Sequence, residues 1–151
     1  MSDASQPVFV DTSVLILSED GARPEARERV LAWLRELWQS RRGRVSTQVL
    51  NDFYRVVTTR IQPPMPNGDA RAEVRRYQRW QPWQVDHATV ETAWSIESRF
   101  GLPYADALVV AAAKSQGCDW LLSLELPHGL QLDSVRVIDP LQLSLSELEA
   151  A

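Results

Sequence analysis

Val8-Phe9-Val10 is a wholly apolar run that ends abruptly in Asp11-Thr12-Ser13. A β-branched and aromatic run without alternation predicts a buried strand that hands over to polar groups at its carboxyl end. Apolar positions next recur at 30, 31, 34, 37 and 38, a helical spacing, with Pro24 near the start and Gly43 beyond the end. Arg44-Val45-Ser46 predicts a second brief strand. Ser46 or Thr47 can then cap a helix that carries Val49, Leu50, Phe53 and Val57 on one face. Pro63, Pro64 and Pro66 interrupt the pattern and predict a loop inside one domain. A helix is expected over 69–80, a third short strand at Val85, and a helix over 87–100 stopped by Gly101. Pro103 opens another helix, which runs to about Gln116 and is closed by Gly117. Apolar strands are expected at 119–123 and 135–138, and 141–151 reads as a short tail helix or a frayed end.

Apolar strands separated by helices belong to a parallel sheet covered on both faces, so the expected class is an α/β sandwich. Residues 1–6 are polar and read as loose, 7–141 as a single domain, and 142–151 as a C-terminal tail. A chain of 151 residues is long enough to bury a core without disulfides or a structural metal.

Composition narrows the function classes. The longest unbroken apolar run, Ala107–Ala113, is far shorter than the ~20 residues of a membrane-spanning helix. No cationic stretch precedes an apolar segment at the N-terminus, and Cys118 is alone. The expectation is a soluble, cytoplasmic protein without a membrane partner. The net charge of −4 conceals grouped arginines, Arg41, Arg42 and Arg44, then Arg71, Arg75, Arg76 and Arg79. Local basic patches can hold phosphates on an acidic protein, so charge neither demands nor excludes a nucleic acid.

In an open parallel sheet, ligands bind beyond the carboxyl ends of the strands. Asp11 follows the first strand, Asp106 lies in the first turn of the Pro103 helix, and Glu125 follows the strand ending at Ser123. Asp52 lies one turn into the helix after the second strand, offset from its apolar face. Taken singly, each has a plain structural role: Asp11 a helix cap, Asp106 a dipole partner, Asp52 a partner for Arg55, Glu125 a loop carboxylate. Together at one sheet edge they repel one another, and a divalent cation removes that conflict. Oxygen ligands without Cys, and without His at strand ends, favour Mg²⁺ or Mn²⁺ over Zn²⁺. Such an ion holds a phosphate oxygen, lowers the pKa of bound water and stabilises the departing oxygen. Thr12, Ser13 and Ser123 add hydroxyls beside the carboxylates. The chemistry indicated is metal-assisted phosphodiester hydrolysis.

The blocks 8–13 (VFVDTS), 46–54 (STQVLNDFY), 104–113 (YADALVVAAA), 118–129 (CDWLLSLELPHG) and 135–140 (VRVIDP) resemble those of PIN-domain proteins. Within that family they are most similar to the VapC-type toxins of bacterial toxin–antitoxin pairs. The resemblance implies a three-layer α/β/α fold around a mostly parallel sheet and a Mg²⁺- or Mn²⁺-dependent endoribonuclease. It also implies a homodimer, an RNA substrate and a small antitoxin protein partner. By the same resemblance Asp11 and Asp106 are the main metal ligands, with Asp52 and Glu125 completing the acidic cluster. The family usually has Glu at the position of Asp52, Asp at that of Glu125, and an acid at that of Leu124.

Arg71, Arg75 and Arg79 form an i, i+4, i+8 stripe followed by Trp80 and Trp83, a combination compatible with single-stranded RNA. A solvated helix face beside core tryptophans explains the same pattern, and the six tryptophans are expected to fill core or subunit contacts. His128 lies close to Glu125 without the spacing of a metal ligand, and His87 reads as a helix-start residue. A phosphatase with an Asp nucleophile is disfavoured because Ser13 stands where a second Asp is required. No phosphate-binding glycine loop is present. The alternative to the nuclease is a catalytically impaired PIN-like module that binds RNA or a partner.

Overall fold

The computed structural model describes residues 6–150, so the expected loose N-terminus lies, apart from Gln6, outside the described residues. Five strands form one sheet: β1 (Val8–Val10), β2 (Gly43–Arg44), β3 (Trp120–Leu122), β4 (Gln131–Leu132) and β5 (Val135–Ile138). Their spatial order is β2-β1-β3-β5-β4. All neighbours run parallel except β4 and β5. Every residue of β1 is fully buried, as are Leu121 and Leu122 of β3. Successive strand side chains point to opposite faces, so burial without alternation means that both faces are covered. This is the expected α/β sandwich.

The helices are α1 (Thr12–Leu17), α2 (Pro24–Ser40), α3 (Thr47–Thr59), α4 (Asn67–Arg76), α5 (His87–Phe100), α6 (Tyr104–Ser115) and α7 (Leu145–Ala150). Ser46 caps α3, its Oγ accepting from the Val49 N–H at 3.2 Å. The predicted face of Val49, Leu50, Phe53 and Val57 is the buried one. Gly101 ends α5 in the left-handed conformation, where its missing side chain relieves the strain. Leu145 and Leu148 of α7 are buried, and Glu149 pairs with the buried Arg42 at 2.5 Å.

Four local expectations change. Helix α1, unnamed by periodicity, follows β1 directly, because Val14 to Leu17 is a continuous apolar run with no helical repeat. The second strand occupies Gly43–Arg44 rather than 44–46, and Ser46 makes only an isolated bridge to Trp83. No strand forms at Val85. The helix expected over 69–80 divides, with α4 giving way to a 3₁₀ turn at Tyr77–Trp80. Tyr77 and Trp80 turn inward there, against Trp38, with ring centroids 5.3 and 4.8 Å from it. Trp80 lies so close to the backbone of Gly43 that a Cβ there would meet its ring at 2.5 Å. Trp94, at 47% exposed, lies outside the core, which leaves it the subunit-contact half of the expectation.

The parallel register positions the site. Val10 pairs with Leu122, so the residues that leave the two strands, Asp11 and Ser123, emerge side by side. The Asp11 N–H donates to Leu122 O at 2.9 Å, and the Ser123 N–H to Ile138 O at 3.1 Å.

Candidate functional site

Asp11 caps α1 with one oxygen and faces Ser123 with the other. Its Oδ1 accepts from the Thr12 N–H at 2.7 Å. Its Oδ2 accepts from Ser123 Oγ at 2.8 Å and from Ser13 Oγ at 3.3 Å. Ser123 Oγ in turn accepts from the N–H groups of Glu125 and Leu126, at 3.1 and 3.2 Å. Ser13 Oγ accepts from the Leu124 N–H at 3.1 Å. The two hydroxyls thus tie the segment after β3 to the carboxylate after β1. The cap and the acidic site are one side chain in two roles.

A cleft of about 240 Å³ opens at this edge, and Asp11, Asp52, Asp106 and Glu125 all line it, with Thr12 and Ser13. Asp11 is only 5% exposed, and its pKa is pushed up to about 6. Burial is the main cause; the Ser123 and Thr12 hydrogen bonds oppose it, and the charges of Asp106 and Glu125 add to it. Asp106, in the first turn of α6, is also raised, by burial first and then by Glu125. These three carboxylates are electrostatically coupled. Asp52 stands apart from that coupling, its carboxylate 3.6 Å from the Arg55 guanidinium, with both side chains substantially exposed. Raised carboxylates gathered in one cleft mark a candidate active site. A larger groove of about 610 Å³ lies between α2 and α7, where Arg29 and Arg35 alternate with Glu36, Glu147 and Glu149. Charges of both signs there compensate one another, so the chemistry is assigned to the smaller cleft.

The PIN-domain family model matches residues 8–125, from the start of β1 to Glu125. This chain belongs to the PIN-domain family. No curated protein matches it. Among solved structures, it is similar to Mycobacterium tuberculosis VapC20, described as a Sarcin-Ricin loop cleaving toxin, with a TM-score of 0.59 and 20% identity. The similarity covers 76% of this chain and 86% of that one. At that identity the likeness carries the fold.

The donor set of this PIN domain fits a hard divalent cation: it is all oxygen, and crowding of the carboxylates adds to the raised pKa of Asp11 and of Asp106. Among the described residues, no three His, Cys, Asp or Glu side chains close around one point. Mg²⁺ does not require such a cage, because it keeps several waters and takes one or two carboxylates.

The remaining predicted residues fall outside the cleft lining. Arg71, Arg75 and Arg79 are exposed, and the 3₁₀ turn at Tyr77 takes Arg79 off the helical stripe. Arg71 donates to the Tyr54 hydroxyl at 3.2 Å. Trp80 is buried, and Trp83 is partly buried against the core and donates to Thr89 Oγ1. His128 accepts from the Asp139 N–H through Nδ1 at 3.0 Å, fixing the loop after β3 to the end of β5. His87 begins α5, whose cap is Asp86. Sequence reasoning missed Gln48 and Arg60 in the cleft, and placed Arg55 only as a partner of Asp52. Helical spacing, i−4 from Asp52, is a signal for Gln48; Arg60, at the C-cap of α3, carries none. Among the described residues, no helix is long and apolar enough to cross a membrane.

Proposed function

We propose that this PIN domain is a Mg²⁺- or Mn²⁺-dependent endoribonuclease that acts as the toxin of a toxin–antitoxin pair. The observation that carries the reading is the coupling of Asp11, Asp106 and Glu125 in one cleft at the carboxyl edge of a parallel sheet. Family membership supports nuclease chemistry, and the likeness to a toxin that cleaves the Sarcin-Ricin loop supports RNA as the substrate class.

Asp11, Asp106 and Glu125 would hold the ion, at least one of them through a bound water, and Asp52 would complete the acidic lining. When bound, the ion supplies charge neutralisation for the scissile phosphate and a water acidic enough to act as nucleophile at neutral pH. Ser123 and Ser13 keep Asp11 oriented, and Thr12 holds its second oxygen through the backbone. Arg71, Arg75 and Arg79 would serve as outer RNA contacts. The reading includes a homodimer, a cytoplasmic setting and a small antitoxin partner that brings a basic side chain among the carboxylates.

The test uses purified chain free of any partner, incubated with total and structured RNA in Mg²⁺, Mn²⁺ or EDTA. Cleavage that requires metal and is lost in Asp11→Asn and Asp106→Asn is expected. Expression is expected to arrest host growth, with relief when the adjacent small gene is co-expressed; normal growth counts against the toxin role. The pairing of Asp52 with Arg55 favours a second reading, a module that binds RNA without cutting it. Intact RNA bound in every metal condition would select that reading.

A further inference from the structure

Helix α3 presents a row of polar side chains to the cleft: Gln48, Asp52, Arg55 and Arg60 all line it. Gln48, Asp52 and Arg55, at i, i+4 and i+7, share one side of the helix, and Arg60 reaches the same cleft from its C-cap. Gln48 anchors the row, its Nε2 donating to Ala105 O at 3.0 Å, beside Asp106. Charge changes sign along the cleft, from the carboxylates around Asp11 to the guanidiniums of Arg55 and Arg60. Arg60 is exposed at the C-terminal cap of α3 and has no carboxylate within ion-pair distance among the described residues. Among the described residues, the carboxylate that Arg55 reaches is Asp52, at 3.6 Å, too far for a hydrogen bond. Its donors therefore remain available to a ligand.

A phosphate at the carboxylate end requires a cation to overcome repulsion. A neighbouring phosphate at the arginine end requires none, because guanidinium forks match phosphate oxygens directly. Asp52 and Arg60 are separated by roughly 12 Å along the helix axis at ~1.5 Å per residue.

We infer that Arg55 and Arg60 form a flanking-phosphate site, so that the RNA continues past the scissile bond along α3 toward its C-terminus. This rests on the nuclease reading and names its substrate as an extended strand. Binding is measured by fluorescence anisotropy of the full chain with a labelled single-stranded oligoribonucleotide in EDTA, across a salt series. Arg55→Gln and Arg60→Gln are each expected to weaken binding several-fold and to lower the slope of log affinity against log salt by about 0.7. Arg60→Lys keeps the slope, and Arg35→Gln, on α2, changes neither quantity. With a dinucleotide seated at the carboxylates and too short to reach Arg60, the Arg60→Gln effect disappears. Absent binding by the unsubstituted chain, or affinity and slope indifferent to both arginines, would overturn the inference. Arginine-dependent binding without metal-dependent cleavage would count against the nuclease reading alone. Cleavage with arginine-independent binding would count against this inference alone.

Discussion

Ser123 Oγ donates to Asp11 Oδ2 at 2.8 Å, joining residues 112 positions apart. The bond exists because β1 and β3 pair in parallel with Val10 opposite Leu122, which brings the next residue of each strand to the same edge. Ser123 spends its one donor on Asp11 and accepts two backbone N–H groups from the segment that carries Glu125.

Ser123→Ala therefore removes a donor from a buried carboxylate and leaves two N–H groups without their acceptor. The expected cost is about 1–3 kcal/mol of folding stability. Urea unfolding would show a lower midpoint with an unchanged slope. The Asp11 pKa should rise further, because the Ser123 hydrogen bond lowers it. An unfolding midpoint equal to that of the unsubstituted chain contradicts the assigned role.

Asp11 sets an unusual pH dependence. Its folded pKa, about 6, lies above the ordinary 3.8, so between these values the folded chain holds a proton that the unfolded chain has released. Its contribution to stability therefore falls as pH rises from about 4 to about 6 and is level above that. Asp11→Asn removes the contribution and should raise stability at neutral pH by up to about 3 kcal/mol relative to the unsubstituted chain. The comparison is made in EDTA by thermal unfolding across pH. Cleavage is expected to run the opposite way, rising with pH because a protonated Asp11 cannot hold the ion, and to be lost in Asp11→Asn.

The carboxylates are not equivalent. Asp106 and Glu125 act on Asp11, whereas Asp52 leans toward Arg55. Mn²⁺ is expected to stabilise the unsubstituted chain, as any ligand of the folded state does, by about 2.7 kcal/mol at 100 times Kd, and so to raise its melting temperature. Asp106→Asn should abolish that shift, and Asp52→Asn should retain most of it. Equal losses in the two variants would show that Asp52 belongs to the same coupled set.

Gly43→Ala tests the far edge of the sheet. The added Cβ would fall 2.5 Å from the Trp80 ring, whose neighbours Trp38 and Tyr77 leave it little room to move. The expected loss is about 1–3 kcal/mol in chemical denaturation. Metal binding in the cleft should be unaffected.

Legibility followed element length and kind of burial. Helix α3 was readable because Ser46 caps it and four apolar residues share its inner face. Helix α5 was readable because Gly101 stops it, and β1 because its run is continuous. Helix α1 and strand β4 were not, since six and two residues are too few to establish a period. The turn at Tyr77 was hidden because its cause is tertiary: Tyr77 and Trp80 pack against Trp38 on α2. In the cleft, acids beside strand ends stood out, while Gln48 and Arg60 read as ordinary helix polarity until α3 was oriented.

The amino-acid order by itself determined the alternation of apolar strands and helices, the α/β class, and the supply of carboxylates and hydroxyls at strand ends. These are local properties, carried by spacing and side-chain chemistry. Which carboxylates act on one another and which arginines border the cleft were decided only by the tertiary structure. Such proximities depend on strand register and helix rotation, which arise from packing between segments far apart along the chain.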